Sequence, residues 1–377
     1  MQNKTSQIKM NIIANNKIKY YVAFSYLNIK PLVKSRIFEY FDYDIEKAFF
    51  ANENDLLKVS EYYDIQIPKN YLSKIKKLNL DECYKNAFLD EDVKILTYED
   101  ELYPPLLKEI PDFPLALYYK GDLDGIDYNF NLAIVGSRAC SQEAKNALDS
   151  IISKLSNSNI VIVSGLAYGI DAKAHQCAID NNLKTIAVIG SGLDYYYPSQ
   201  NKKIYEDIIN GAGVIFSEYP LKIPPMSQNF PQRNRIVVGM SKGTLVAEAQ
   251  IKSGAMISAN LTLDYNRELM CIPGNILNPN TSGIYYLIKN GAGIICDSNN
   301  LLNQMGWDII LKEEENKTSD LNENQSQVIN SIALEAKSFD EISFEVSLST
   351  SEIMVALTEL ELKGLIKQTN NKYYKIG

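Results

Sequence analysis

With 377 residues, 46% of them hydrophobic, the chain is long enough for two or three globular domains, and it has no run of about 18 apolar residues to cross a membrane. Its net charge of −8 argues at first sight against nucleic acid. The acidity is uneven: near −1 over residues 1–120, −2 over 121–310 and −5 over 311–377, so the middle still has room for a basic groove.

Residues 1–19 are polar and rich in Asn and Lys, and no secretory signal is expected. Apolar spacing over residues 18–100 predicts short helices at Tyr20–Leu27, Lys30–Phe41, Ile45–Phe50, Glu53–Tyr62 and Pro68–Lys76. They form an N-terminal all-α module, taken as residues 1–100. Four prolines between Tyr103 and Gly121 forbid a long helix there and predict a segment pinned against the next domain.

From residue 130 the pattern changes. Apolar runs at Leu132–Val135, Ile160–Val163, Thr185–Ile189, Val214–Phe216, Thr244–Ala247, Glu268–Ile272 and Ile294–Cys296 alternate with helical stretches. Strands apolar on both faces and separated by helices predict a parallel sheet covered on both sides, a Rossmann-like α/β core over residues 101–310. Several runs end in glycine (Gly136, Gly165, Gly190, Gly274), at the carboxyl ends where such sheets bind ligands. A charged linker is expected over 311–322. Helices followed by a hairpin around Thr369–Asn371 predict a winged helix over 323–377.

The chain has five arginines among its 38 basic residues: Arg36, Arg138, Arg233, Arg235 and Arg267. Against so strong a lysine bias, each surviving arginine marks a need for a flat, forked donor. Arg138 ends Ala-Ile-Val-Gly-Ser-Arg, and Arg233 and Arg235 stand in Phe-Pro-Gln-Arg-Asn-Arg beside Phe230, settings suited to phosphate and base contacts. The alternative is structural: a buried carboxylate partner for Arg138, and Glu218 or Glu248 for Arg235, with Phe230 in the core. Lys202 and Lys203 either extend a basic rim or form a solvated helix face. Asp171 reads as a helix N-terminal carboxylate. His175, the only histidine, reads as a packed helix residue. Cys83, Cys140, Cys177, Cys271 and Cys296 include no Cys-x-x-Cys pair, which points to a reducing cytoplasm and against a metal site. No catalytic constellation and no cofactor fingerprint are legible, since a full G-x-G-x-x-G is missing.

In order and spacing, AIVGSR, SGLAYGIDAKAH, GSGLDYYYP, SEYP, FPQRNRIVVG, VAEAQIKSGA, IPGNI and LIKNGA resemble the motifs of the DNA-processing protein A family (DprA, also called Smf) over roughly residues 100–297. The resemblance implies an extended Rossmann fold, with a SAM-like N-terminal module and a C-terminal winged helix. It implies a cytoplasmic, non-enzymatic protein that binds single-stranded DNA, assists the RecA recombinase in natural transformation and forms a homodimer through Met256–Leu263 and Ile284–Ile288. The expected DNA contacts are Gly136, Ser137, Arg138, Ser164, Gly165, Lys202, Lys203, Phe230, Arg233, Asn234 and Arg235, with Arg138 the principal phosphate contact. Three departures stand out. Leu27-Asn28-Ile29-Lys30 has no glycine hairpin, so strong DNA gripping by the first module is not expected. Ser199 follows Tyr-Pro where some relatives carry a basic residue. The acidic winged helix suits a protein contact better than duplex DNA. The competing reading is a nucleotide-binding enzyme of the phosphoribohydrolase type, but in Gly243-Thr244 … Glu248 the glutamate stands one residue too far along, and no Pro-Gly-Gly precedes it.

Overall fold

The structure, a computed structural model, describes residues 17–309, 321–332, 336–369 and 371–375. The expected linker lies almost wholly outside the described residues, as does Asn370 of the C-terminal turn. The chain divides into two units, residues 1–309 and 310–377.

The first unit begins with helices α1 (17–26), α2 (Pro31–Tyr40), α3 (Ile45–Phe49), α4 (Glu53–Tyr63), α5 (Tyr71–Lys76) and α6 (Leu80–Ala87). Local capping sets several starts: Asp44 accepts the first N–H groups of α3, and Asn52 forms a reciprocal box with Asp55 on α4. The helix α6 was not anticipated. It buries only Cys83 and Ala87, four residues apart, too little apolar signal to read in the sequence.

A nine-stranded sheet follows. Its strands are β1 (Lys94–Thr97), β2 (Ala116–Gly121), β3 (Asn131–Gly136), β4 (Val161–Ser164), β5 (Lys184–Ile189), β6 (Gly213–Ser217), β7 (Gly243–Glu248), β8 (Glu268–Cys271) and β9 (Gly293–Ile294). Helices α7 (Gln142–Ser153), α8 (Ile170–Asp180), α9 (Lys202–Asp207), α10 (Asn229–Gly239), α11 (Gly254–Asp264), α12 (Ser282–Lys289) and α13 (Ser298–Met305) connect or follow them. The spatial order is β1-β2-β6-β5-β4-β3-β7-β8-β9, parallel from β6 through β9. Each of the seven apolar runs supplies a strand. The strands β1 and β2 were not read as such. They pair antiparallel at one edge, where strand prolines are tolerated because they lie between, not within, the strands. Side chains of α1–α5 join this edge in one core, with Phe24, Phe38, Leu107 and Phe113 buried together.

From β3 the chain first winds outward through β4, β5 and β6, then returns to place β7 on β3's other side. That reversal opens a crevice at the carboxyl end of β3, where open α/β sheets bind ligands. The loop leaving β3 carries Ser137 and Arg138.

The second unit holds α14 (Glu323–Ser331), β10 (Lys337–Ser338), α15 (Phe339–Glu345), α16 (Thr350–Leu362), β11 (Ile366–Thr369) and β12 (Lys372–Lys375), with sheet order β10-β12-β11. Val328, Ile342, Ile353, Leu357, Leu360 and Ile366 fill its core. Helices closed by a short hairpin make it a winged helix. Among the described residues no helix is long and apolar enough to cross a membrane.

Candidate nucleic-acid interface

The loop after β3 is fastened at both ends. Ser137 N–H donates to the Glu248 carbonyl at the end of β7 (2.8 Å), and the Ser137 carbonyl accepts from Ile170 N–H at the start of α8 (3.2 Å). Gly169 lies beside this carbonyl with φ +77°, where a side chain would be strained and would meet the Ser137 backbone. The buried Glu248 carboxylate accepts from Ser141 N–H (3.2 Å) and Oγ–H (2.6 Å). Ser141 Oγ in turn caps α7 by accepting from Ala144 N–H. The loop is thereby held while the Arg138 side chain stays exposed.

The Arg138 guanidinium lies 5.5 Å from the centre of the Phe230 ring. Phe230 is stacked on Tyr197, centroids 5.5 Å apart and planes inclined by 23°. Tyr197 is 46% exposed and Tyr168, across the cleft, 40%. Asn229 Nδ2 donates to the Gly190 carbonyl (3.0 Å), which fixes the start of α10, and with it Phe230, over the end of β5. A cation resting on an aromatic face beside a second exposed ring is a geometry that both stacks bases and meets phosphate.

Arg233 lies below. It is buried and donates to the carbonyls of Gly165 and Val188, buried acceptors at the ends of β4 and β5. A Cβ at position 165 would overlap its guanidinium, so this glycine is required for the arginine to lie there. Burial lowers the Arg233 pKa to about 10, with Asp171 opposing and Arg138 adding to the fall. Burial raises the Asp171 pKa, with Arg233 the main opposing influence. Asp171 also accepts from Ala167 N–H (3.4 Å). The two buried charges offset each other, which leaves Arg138 as the exposed cation of the cleft.

Arg138, Gly165, Ala167, Tyr168, Gly190, Ser191, Tyr197, Pro198, Phe230 and Arg233 line the cleft. Its enclosed volume is about 20 Å³, room for a water-sized group and far less than a base. Gly136 and Ser137 are partly exposed beside Arg138. Lys202 and Lys203 are both exposed at the start of α9. Lys202 sits 5.3 Å from the Tyr196 ring and 3.6 Å from Glu206, whereas Lys203 has no such partner nearby among the described residues. Asn234 is half-buried on α10, outside the lining residues.

Two expected contacts are occupied elsewhere. Ser164 is buried, and its Oγ–H donates to the Ile134 carbonyl inside the sheet (2.7 Å). Arg235 is buried against Glu218 (2.5 Å) and Asp112 (3.7 Å). Tyr265 O–H donates to the same Asp112 (3.0 Å). Arg267 donates to the Leu106 carbonyl and to Glu109, 2.8 Å away. Arg235 and Arg267 therefore pin the proline-rich segment to the sheet unit, and neither serves the cleft. In the other direction, Tyr168 and Tyr197 line the cleft but were absent from the expected contacts. Their position in the loops that follow the glycine turns at Gly165 and Gly192 was the available signal.

His175 is sealed from the cleft. Its Nδ1 is 2.7 Å from Thr185 Oγ1, and burial followed by the repulsion of Arg233 pushes its pKa down to about 3. The Gly243-Thr244 … Glu248 run is also inside the protein: Thr244 accepts from Thr262 O–H (2.8 Å), and Glu248 serves Ser141.

These features define a class: a parallel α/β protein with a narrow cationic cleft, edged by aromatic rings, across its strand ends. A family model described as DNA recombination-mediator protein A matches residues 94–306, and one described as the DprA winged helix domain matches residues 312–371. The first spans more than half of the chain, which belongs to that family. The DNA processing protein DprA of Streptococcus pneumoniae is 36% identical over 280 residues, 71% of this chain and 98% of the relative. The X-ray structure of DNA processing protein A from the same organism superposes with a TM-score of 0.64 at 33% identity, over 76% of this chain and 97% of the other. DNA processing protein A from Helicobacter pylori, solved for its single-stranded DNA binding mode, gives a TM-score of 0.51 at 30% identity, over 56% of this chain and 95% of the other.

Proposed function

We propose that this protein binds single-stranded DNA across the cleft and hands it to the RecA recombinase during uptake of DNA in natural transformation. The observation that carries the reading is Arg138, the exposed guanidinium resting on the Phe230 ring, which is itself stacked on Tyr197. In this reading Arg138 meets a backbone phosphate, and Phe230, Tyr197 and Tyr168 offer faces to bases. Gly136, Ser137 and Gly165 let the strand approach the backbone. Arg233 adds positive potential from below, Asn234 supports the rim, and Lys203 with Lys202 extends the path. Ser164 and Arg235 have no part. The protein acts as a binder and not as a catalyst, and the one imidazole it carries is buried and neutral. The protein works as a homodimer in the cytoplasm. Exposed Ile257 and Leu263 on α11 and Tyr286 on α12 support that dimer, whereas Ile284 and Leu287 are committed to the core.

The test is a titration of the full-length chain with a single-stranded oligonucleotide and with its blunt duplex, over a range of salt. Flexible phosphates and free base faces favour the single strand, and released counterions make its affinity fall steeply with salt. Equal affinity for the two DNA forms would overturn the reading.

A further inference from the structure

The helix α16 occupies the place from which winged helices read duplex DNA, yet its exposed face has the wrong chemistry for that. Ser351, Met354, Val355, Thr358, Glu361 and Leu362 recur at helical spacing on its outer side, all exposed. Met354 is 59% exposed, Val355 56% and Leu362 84%. From Thr350 to Leu362 there is no Lys or Arg, and there are three glutamates, Glu352, Glu359 and Glu361. Lys363 follows as the C-cap and donates to Gln325 (3.1 Å), so along the helix itself a phosphate backbone would meet like charge, with little counterion release.

The ridge is flanked by two grooves. One, about 300 Å³, runs between Phe339, Met354, Leu357 and Tyr373 and is edged by Glu361. The other, about 190 Å³, runs along Val355 and Ala356 and is edged by Glu352 and Glu359. The unit's exposed lysines outside the helix include Lys367, Lys372 and Lys375 on the wing strands, and Lys372 stands 3.6 Å from Glu341. An apolar ridge between two acid-edged grooves is complementary to an apolar helix stripe bordered by cations.

We infer that the α16 face is a docking site for a cationic amphipathic helix of a protein partner, with apolar anchors seated in the two grooves and flanking Lys or Arg residues facing Glu352, Glu359 and Glu361. Apolar burial supplies affinity, and the glutamates select the charge of the partner. This inference is independent of the DNA reading, because it concerns the second unit alone.

The probe is a fluorescein-labelled synthetic helix with Leu at i, i+3, i+4 and i+7 and Lys on both flanks, titrated with the full-length chain by anisotropy. Its control keeps the leucines and replaces every Lys with Glu. The Lys probe is expected to bind saturably, more weakly as salt rises, and at least about tenfold more tightly than the control. The double variant Val355→Lys, Glu361→Lys changes only exposed positions. It is expected to weaken the Lys probe by about tenfold or more while its melting curve and single-strand affinity stay as in the parent. Four outcomes would overturn the inference: no saturable binding, equal binding of the control, indifference to the double variant, or displacement of the probe by a short duplex.

Discussion

Arg138 and Arg233 use one side chain for opposite ends. Arg233 spends its fork on two strand-end carbonyls and its charge on Asp171, whereas Arg138 is held out by a loop whose backbone partners are already satisfied. The lysine bias of the chain drew attention to its five arginines. It did not separate an exposed forked donor from one spent on the protein's own backbone, because both need the same planar geometry. His175 gives a test at this scale. Its folded pKa, about 3, lies below the unfolded value near 6.5, so as pH falls the unfolded chain takes up the proton first. Stability is therefore fully present above about pH 6.5 and is lost progressively below it, by up to ~1.4 kcal/mol per pH unit from this group. Chemical denaturation of the parent and of His175→Gln between pH 7 and 5 should show the smaller loss in the variant. Parallel losses would show that the imidazole does not carry this dependence.

Among the elements, the parallel strands were legible because strands buried on both faces need continuous Ile and Val, and their glycine ends were legible because backbone meets side chain there. The edge strands β1 and β2 were not, since prolines on either side of short runs look like a linker. What holds that segment is the cluster of Arg235, Glu218, Asp112 and Tyr265, with Lys34 of α2 close by, its pKa lowered to about 8 by burial against the pull of Glu218. The sequence allowed a Glu218 partner for Arg235, but nothing in it indicated Asp112, which comes from more than a hundred residues away. Removing Arg235 leaves the largely enclosed Glu218, its side chain 12% exposed, without its partner. Arg235→Ala is expected to destabilise the first unit by about 3–5 kcal/mol, read as a shift of the denaturation midpoint. A change below about 0.5 kcal/mol, the level of an ordinary surface substitution, would show that the cluster does not hold the segment.

At the scale of the molecule, the uneven charge read from the sequence matches the division into two units: the cleft lies in the nearly neutral unit and the acidic face in the other. A chain ending at Ile309 is therefore expected to keep single-strand affinity within about twofold of full length at one fixed salt. A loss of tenfold or more, about 1.4 kcal/mol, would place the winged helix in the DNA site. The central claim is that one exposed guanidinium on an aromatic face anchors the strand, and its most direct test is the single-strand affinity of Arg138→Ala in a protein whose melting curve is unchanged. The predicted loss is about 1.5–3 kcal/mol, the worth of a charged hydrogen bond to phosphate, with Arg138→Lys recovering only part of it because the fork is gone. Parental affinity in a folded Arg138→Ala chain would contradict it.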